Sequence, residues 1–182
     1  MTQRTTWSEP VRLREVSRGP ITRRLVADEA VRRSIARELE LDRLDLLEGE
    51  LTLTPWRDGA DIQGRWRAGF EQTCGVTLEP LPSTLQGEFT VRVVPAGSPN
   101  APVAEEDDEV LVDPEAEDPP DVLEGDSIHL GAYLVEHLAL QIDPFPRKPG
   151  AVFVQPDEPQ PPSPFEVLRN LKTGKGPGEG SL

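Results

Sequence analysis

The sequence is poor in cysteine and contains no long apolar run. A single cysteine among 182 residues excludes an internal disulfide and any metal site built from several thiolates. No stretch approaches the roughly eighteen apolar residues of a membrane span, and the first ten residues, MTQRTTWSEP, lack an apolar signal core. We therefore expect a soluble, cytoplasmic protein.

Lysine is missing from the first 99 residues, and bases of either kind are scarce after them. Residues 1–99 hold 14 arginines against 15 acids, whereas residues 100–182 hold 5 bases against 18 acids. Nearly all of the net charge of −14 therefore belongs to the second part. This balance argues against indiscriminate nucleic-acid binding, although a local arginine surface could still contact phosphates.

Prolines and charges divide the chain into segments. We expect a single folded domain at residues 1–148, interrupted by an acidic mobile loop at 97–125, and a Pro/Gly-rich tail at 149–182. Between residues 105 and 126 twelve acids occur without a base, so this stretch buries too little apolar surface to offset the entropy of ordering. A short helix at 165–172 is compatible with the tail sequence.

The clearest pattern is an alternation of apolar and polar residues over 61–80. Trp66 and Phe70 fall on one side of this run, and Arg65 and Arg67 fall on the other. A helical period would mix the aromatic residues with the arginines, so the pattern predicts a strand with one buried and one water-facing side.

Two other stretches, residues 47–54 and 85–93, alternate in the same way. The segment PWRDG at 55–59 is expected to close a hairpin before the central strand, with Asp58-Gly59 as its most turn-like pair. Three successive one-sided strands with short links predict an antiparallel meander.

Further elements flank this meander. Two arginine-rich segments, 10–16 and 20–26, predict short strands at a sheet edge. Helices are predicted at 29–40, where Asp28 is the expected N-cap, and at 129–142, where an acidic or hydroxyl residue just before the helix is expected to cap it. The predicted fold class is α+β: a curved antiparallel sheet, open or barrel-like, covered by two helices.

The candidate binding residues are arginines, because the planar guanidinium group matches phosphate oxygens. Arg65, Arg67 and Arg92 are expected to share the water-facing side of the meander. A second basic area comprises Arg23, Arg24, Arg32, Arg33 and Arg37. The alternative interpretation is that these arginines only keep a small domain soluble beside its own acids.

Residues suited to catalysis or metal binding are few. Cys74 is expected on the apolar side of the central strand, as an inert buried thiol. The acids of the predicted loop lack the rigid frame that catalytic carboxylates need. We therefore expect no catalytic residue, no metal and no other cofactor, and a hydrolase acting on RNA is the least supported alternative.

Four short motifs occur in one order along the chain: QTCGVTLEP at 72–80, GDSIHLG at 125–131, LALQIDPFPR at 138–147 and PFEVLRNLK at 164–172. With these motifs the chain resembles the YceD family, the large ribosomal RNA subunit accumulation proteins, in its alphaproteobacterial form. The motif residues of most interest are Gln72, Cys74, Val76, Thr77, Leu78, Glu79, Pro80, Asp143, Pro144 and Arg147.

The resemblance implies a role in the accumulation or processing of large-subunit (23S) ribosomal RNA and supplies no catalytic residues. Other branches of the family carry Cys-x-x-Cys where this chain has Cys74 and Thr77, so zinc binding is not carried over. Two kinds of partner follow as alternatives. Either the arginine surfaces hold ribosomal RNA, or the acidic loop and tail shield a basic large-subunit ribosomal protein before it meets RNA.

Overall fold

The computed structural model of the chain describes residues 7–102 and 118–153. The chain divides into two units, residues 1–151 and 152–182, and every element described below belongs to the first. The expected loop between residues 103 and 117 and the expected helix at 165–172 lie outside the described residues.

The described residues form an α+β fold, as predicted. In chain order the elements are β1 (Pro10–Arg12), α1 (Leu13–Val16), β2 (Ile21–Val26), α2 (Glu29–Glu38), β3 (Arg43–Trp56), β4 (Gly59–Thr73), β5 (Pro80–Pro95), β6 (Asp121–Leu123), β7 (Ser127–His129) and α3 (Leu130–Gln141).

Five strands form the main sheet in the order β2-β3-β4-β5-β6, and β1 pairs with β7 in a separate ribbon. Strands β3, β4 and β5 make the predicted antiparallel meander, and β2 lies at its edge, as its charged residues indicated. Strand β6 forms the other edge of the sheet and runs parallel to β5. Within the described residues the sheet is open, so the barrel-like alternative does not apply.

The hairpin between β3 and β4 turns one residue earlier than predicted. Trp56 pairs with Gly59, which leaves Arg57-Asp58 as the two-residue turn. Gly59 is the first residue of β4, and the position needs glycine because a Cβ built there would lie 1.8 Å from the carbonyl oxygen of Val93. The positive backbone angle falls instead on Arg57, at φ +52°.

Strand β4 ends at Thr73, so the prediction of one strand through 61–80 was wrong in its last part. Cys74 begins a turn in which the amide of Leu78 donates to the Cys74 carbonyl at 2.9 Å. Leu78 has φ +56° and is 77% exposed, so it does not share the buried side. Pro80, expected to end the strand, pairs with Thr73 and begins β5.

Two further predictions need correction. The strand expected at 10–16 stops at Arg12, because the Leu13 amide donates to the Asp126 carbonyl at 2.8 Å and the chain enters the one-turn helix α1. The loop expected to be mobile over 97–125 contains β6, whose Leu123 is buried in the core.

The core lies between the apolar side of the main sheet and the two longer helices. Trp66 and Phe70 are 4% and 3% exposed, and Ile35 of α2 and Leu134 of α3 are fully buried. The Leu134 side chain occupies the space over Gly49, 2.7 Å from where a Cβ would stand, which fixes α3 on this side. Each large buried side chain stabilises the fold by about 1.5–3 kcal/mol.

The two longer helices begin differently. Asp28 caps α2 as predicted, since its carboxylate accepts the Val31 amide at 2.8 Å. The side-chain cap expected for α3 is not formed; its N-cap is His129, and the first helical amide, of Leu130, donates to the Glu9 carbonyl at 3.2 Å. A backbone acceptor from the N-terminal segment therefore replaces the side-chain cap.

Candidate nucleic-acid interface

The water-facing side of the main sheet carries opposite charges on neighbouring strands. Arg65 and Arg67 lie together on this side, with side chains 70% and 63% exposed. Arg65 donates to Glu50 at 3.1 Å and Arg67 donates to Glu48 at 2.6 Å. Arg24 also approaches Glu48, at 3.6 Å. The sheet therefore places these arginines beside carboxylates of β3.

This pairing changes what the surface can bind. A hydrogen bond from Arg67, opposed in part by desolvation, lowers the pKa of Glu48 below its usual value. Ion pairs that solvent can reach in this way contribute little to stability. A phosphate approaching Arg65 or Arg67 must nevertheless compete with a carboxylate already in place. The geometry thus favours the soluble-surface interpretation for this part of the predicted site.

Arg92 lies at the far end of the same side, at the end where β3 turns into β4. Its guanidinium forms an ion pair with Asp61 at 3.7 Å and lies 5.2 Å from the ring centre of Trp56. Arg57, in the hairpin turn, lies 4.5 Å from the same ring. The sequence pattern placed Trp56 and Arg57 only in the segment 55–59 that closes the hairpin, and did not single them out as binding residues.

The second predicted area divides between two surfaces. In β2, Arg23 pairs with Leu51 and Arg24 with Glu50, so their side chains point to opposite sides of the sheet. The structure therefore places Arg24 with the sheet arginines and separates it from Arg23. Arg23 itself donates to the neighbouring Thr22 carbonyl at 3.3 Å.

The remaining arginines of that area lie on α2. Arg32 donates to the Ala27 carbonyl at 2.6 Å, Arg37 donates to the Arg33 carbonyl at 3.2 Å, and Arg33 pairs with Glu29 one turn earlier. All three line a groove of about 790 Å³ between α2 and the first residues of β3. Acidic residues of that part of the chain, Asp42 and Asp45 among them, also line the groove.

The motif residues form a second structure, in which the turn at 72–80 contacts the segment 143–148. The Gly75 amide donates to the Pro146 carbonyl at 2.9 Å. Gln72 donates to the Asp143 carbonyl at 3.0 Å. We call these two segments together the motif turn. Two motifs about seventy residues apart in the sequence therefore meet in space.

Lys148 forms two further links within the motif turn. Its ammonium group pairs with Glu79 at 2.9 Å, and its amide donates to the Cys74 sulfur at 3.3 Å. The Thr77 amide donates to the same sulfur at 3.5 Å. Hydrogen bonds from the Thr77 side chain and the Lys148 backbone lower the pKa of Cys74 to about 6. Cys74 is buried as expected, but in this turn and not on the apolar side of β4.

The other motif residues have mixed exposure. Val76 is half-buried, whereas Leu78, Pro144 and Arg147 are exposed. A zinc ion needs four ligands, and the motif turn supplies one sulfur surrounded by hydrogen-bond donors, so it does not fit zinc. Across residues 7–102 and 118–153, no group of three or more His, Cys, Asp or Glu side chains is placed to hold a metal.

The fold and the motif turn define the class of the protein. It is a small α+β protein with an antiparallel meander, in which the turn between β4 and β5 contacts the segment that follows α3. The family model described as "Large ribosomal RNA subunit accumulation protein YceD" matches residues 62–172, more than half of the chain. The chain therefore belongs to the YceD family, which confirms the resemblance seen in its motifs. The family description supports a role in biogenesis of the large ribosomal subunit and its RNA.

Comparison with curated proteins and with solved structures found no match. In the part of the chain that the structure describes, every helix is too short or too polar to cross a membrane.

Proposed function

We propose that the protein is a non-catalytic, cytoplasmic assembly factor that binds large-subunit ribosomal RNA directly. Family membership supports the connection to this RNA. The surface that we assign to the contact is the arginine row of α2, comprising Arg32, Arg33 and Arg37.

One observation carries this choice of surface. The hydrogen bonds described for Arg32 and Arg37 end on backbone carbonyls, which carry no net charge, whereas those of Arg65 and Arg67 end on carboxylates. A phosphate can approach the first pair without displacing an acid from its partner.

Two matched double variants test the assignment. Arg32→Gln with Arg37→Gln and Arg65→Gln with Arg67→Gln each remove two positive charges, so their general electrostatic effects are equal. We expect the first to weaken binding to 23S ribosomal RNA fragments. The slope of the logarithm of the binding constant against the logarithm of the salt concentration should become shallower by about one for each lost phosphate contact. The second variant should bind almost as the unaltered protein does.

The same variants can be expressed in cells that lack the unaltered protein. Failure of the first double variant to restore 23S ribosomal RNA accumulation would agree with the proposal. Equal RNA binding by both variants would reject α2 as the contact. A stronger defect in the second variant would return the site to the sheet.

A second candidate function, shielding of a basic large-subunit ribosomal protein, is favoured by one acidic cleft. Asp118, Asp121 and Glu136 line a space of about 520 Å³ between β5 and α3, together with Arg92, Tyr133 and His137. The Tyr133 hydroxyl donates to Asp121 at 3.2 Å. Such a cleft suits a lysine or arginine side chain of an extended basic peptide.

Deletion of residues 104–120 tests this second function, because it removes most of the acidic stretch. Capture of the basic partner should be lost while RNA binding is retained. Asp118→Asn with Glu136→Gln is the milder companion, since it removes two of the three acidic charges of the cleft without shortening the chain. Capture that survives both changes would remove this candidate.

A further inference from the structure

One tryptophan lies outside the core, on the charged side of the main sheet. Trp7 and Trp66 are each 4% exposed, whereas Trp56 is only partly buried. In β3, Trp56 follows Thr52 and Thr54 at intervals of two residues, so its side chain lies on the same, water-facing side of the sheet. Core packing therefore does not account for a large aromatic ring at this position.

The ring of Trp56 is accompanied by two guanidinium groups. Arg57 lies 4.5 Å and Arg92 lies 5.2 Å from the ring centre, both within the range of cation–π attraction. The ion pair with Asp61 orients Arg92. Aromatic rings and guanidinium planes are the two surfaces on which proteins stack unpaired nucleobases, and here they occur together.

The hairpin turn that presents these groups is held by Asn100. Arg57 donates to the Asn100 side-chain oxygen at 2.8 Å, and the Asn100 amide donates to Asp58 at 2.8 Å. One side chain thus fixes both residues of the turn, although Arg57 adopts the left-handed backbone region that residues other than glycine rarely occupy. The ring and its cations therefore rest on a preorganised support.

A polar groove lies next along the same side of the sheet. Thr52, Gln63 and Thr90 line a space of about 600 Å³, together with Arg65 and its carboxylate neighbours. Thr52 stands four residues from Trp56 along β3, which is roughly 13 Å at the usual rise per residue. The uncharged hydrogen-bond donors and acceptors of this groove are therefore within reach of an RNA single strand that stacks one base on Trp56. They suit the polar edges of the neighbouring bases.

We propose that the hairpin end is a stacking site for an unpaired nucleotide of single-stranded RNA. The base lies on the indole of Trp56 in place of one guanidinium group, and that group turns to the adjacent phosphate. The site rests on the proposed function and adds to it a second contact, at the hairpin end of the sheet and separate from the arginines of α2. It also names the target as an unpaired segment of RNA rather than a helix. Nothing in this arrangement requires a bond to be made or broken.

Tryptophan fluorescence tests the site without any substitution. The chain has three tryptophans and two are buried, so Trp56 is the ring that a bound base would reach. Titration of the full chain with a short single-stranded RNA should quench the emission, and the same sequence annealed to its complement should not. An unchanged emission on binding, or equal binding of the duplex, would overturn the proposal.

Substitutions give the second readout. Trp56→Ala should weaken single-strand binding about tenfold, the effect typical of one lost stacking contact, and Arg57→Gln should weaken it in the same direction. Val26→Ala, at an exposed position of β2 that pairs with Glu48 away from the hairpin end, is the control and should leave the affinity unchanged. Circular dichroism shows whether each variant is folded. If the Trp56→Ala protein is unfolded, the affinity of the Arg57→Gln protein alone decides the test. Full affinity in a folded Trp56→Ala or Arg57→Gln variant would contradict the site.

The two proposals fail separately. If Trp56→Ala protein retains single-strand affinity and still associates with large-subunit precursors in cells, the stacking site is wrong and the proposed function stands. If the unaltered protein does not associate with those precursors, the proposed function is wrong whatever the fluorescence shows.

Discussion

The indole of Trp66 lies against Gly87, its direct partner on β5, where an added Cβ would come within 3.0 Å of ring atoms Cε2 and Cζ2. Its partner on the other flank is Gly49 of β3, and the space over that glycine is filled by Leu134. The two glycines therefore provide the room in which the largest side chain of β4 and the main contact of α3 pack together.

Removal of this ring should destabilise the fold strongly. Trp66→Ala is expected to lower the free energy of unfolding by about 3–5 kcal/mol, the usual cost of truncating a large buried aromatic residue. The indole nitrogen has no hydrogen-bond partner within the described residues, so the loss is mainly one of packing. Chemical denaturation measures it, with Val26→Ala, at a position 55% exposed, as the control. An unchanged midpoint for Trp66→Ala would show that the ring does not support the core.

A second prediction concerns the glycine beneath another aromatic ring. A Cβ at Gly64 would lie 2.3 Å from Cζ of Phe89, whose ring is itself stacked on His137 at 4.0 Å. Gly64→Ala should therefore cost about 1–3 kcal/mol, because the ring has little room to move. Gly125→Ala is the matched control, since nothing lies within 4 Å of its Cβ position. Equal thermal midpoints for the two variants would contradict the tight packing.

The fold was largely predictable from the sequence because its main strands have one buried side. The alternation around Trp66 indicated the meander, and Asp28 indicated where α2 begins. The errors fall where contacts distant in sequence decide the outcome. Nothing local to Leu130 shows that Glu9 supplies its acceptor, and nothing local to Leu123 shows that it reaches the core.

The candidate site was predictable only in part. Alternation correctly indicated that Arg65 and Arg67 share a surface, but the pairing of each with a glutamate depends on strand register, which single-strand patterns do not contain. Trp56 and Arg57 were missed for a similar reason. Their association with Arg92 across the sheet exists only once β3, β4 and β5 are aligned.

The pairing of Glu48 predicts a pH dependence of stability. Because Arg67 lowers its pKa in the folded state, Glu48 stabilises the fold at pH values above its unfolded pKa, and this contribution is lost as the pH falls through the lower folded value. Unfolding measured from neutral to acidic pH should show a smaller acid-induced loss in Glu48→Gln than in the unaltered protein. Glu88→Gln changes the net charge equally and serves as the control. Parallel pH profiles for Glu48→Gln and the unaltered protein would contradict the prediction.

The ionisation of Cys74 predicts a second pH dependence of stability, in a higher pH range. Its pKa is lowered to about 6 from an ordinary 9.0, chiefly by the Thr77 side chain. The sulfur therefore stabilises the fold fully above pH 9, and its contribution is lost as the pH falls through about 6. The free energy of unfolding of the unaltered protein should rise with pH between these values relative to that of Cys74→Ala.

Thiolate absorbance in the ultraviolet measures the same ionisation directly. The folded protein should titrate with a midpoint near pH 6, and Thr77→Val should move that midpoint upward because one donor to the sulfur is removed. Alkylation should nevertheless be slow in the folded state, since Cys74 is completely buried. Rapid alkylation at neutral pH, or a midpoint that Thr77→Val leaves unchanged, would show that the sulfur is not held in the motif turn.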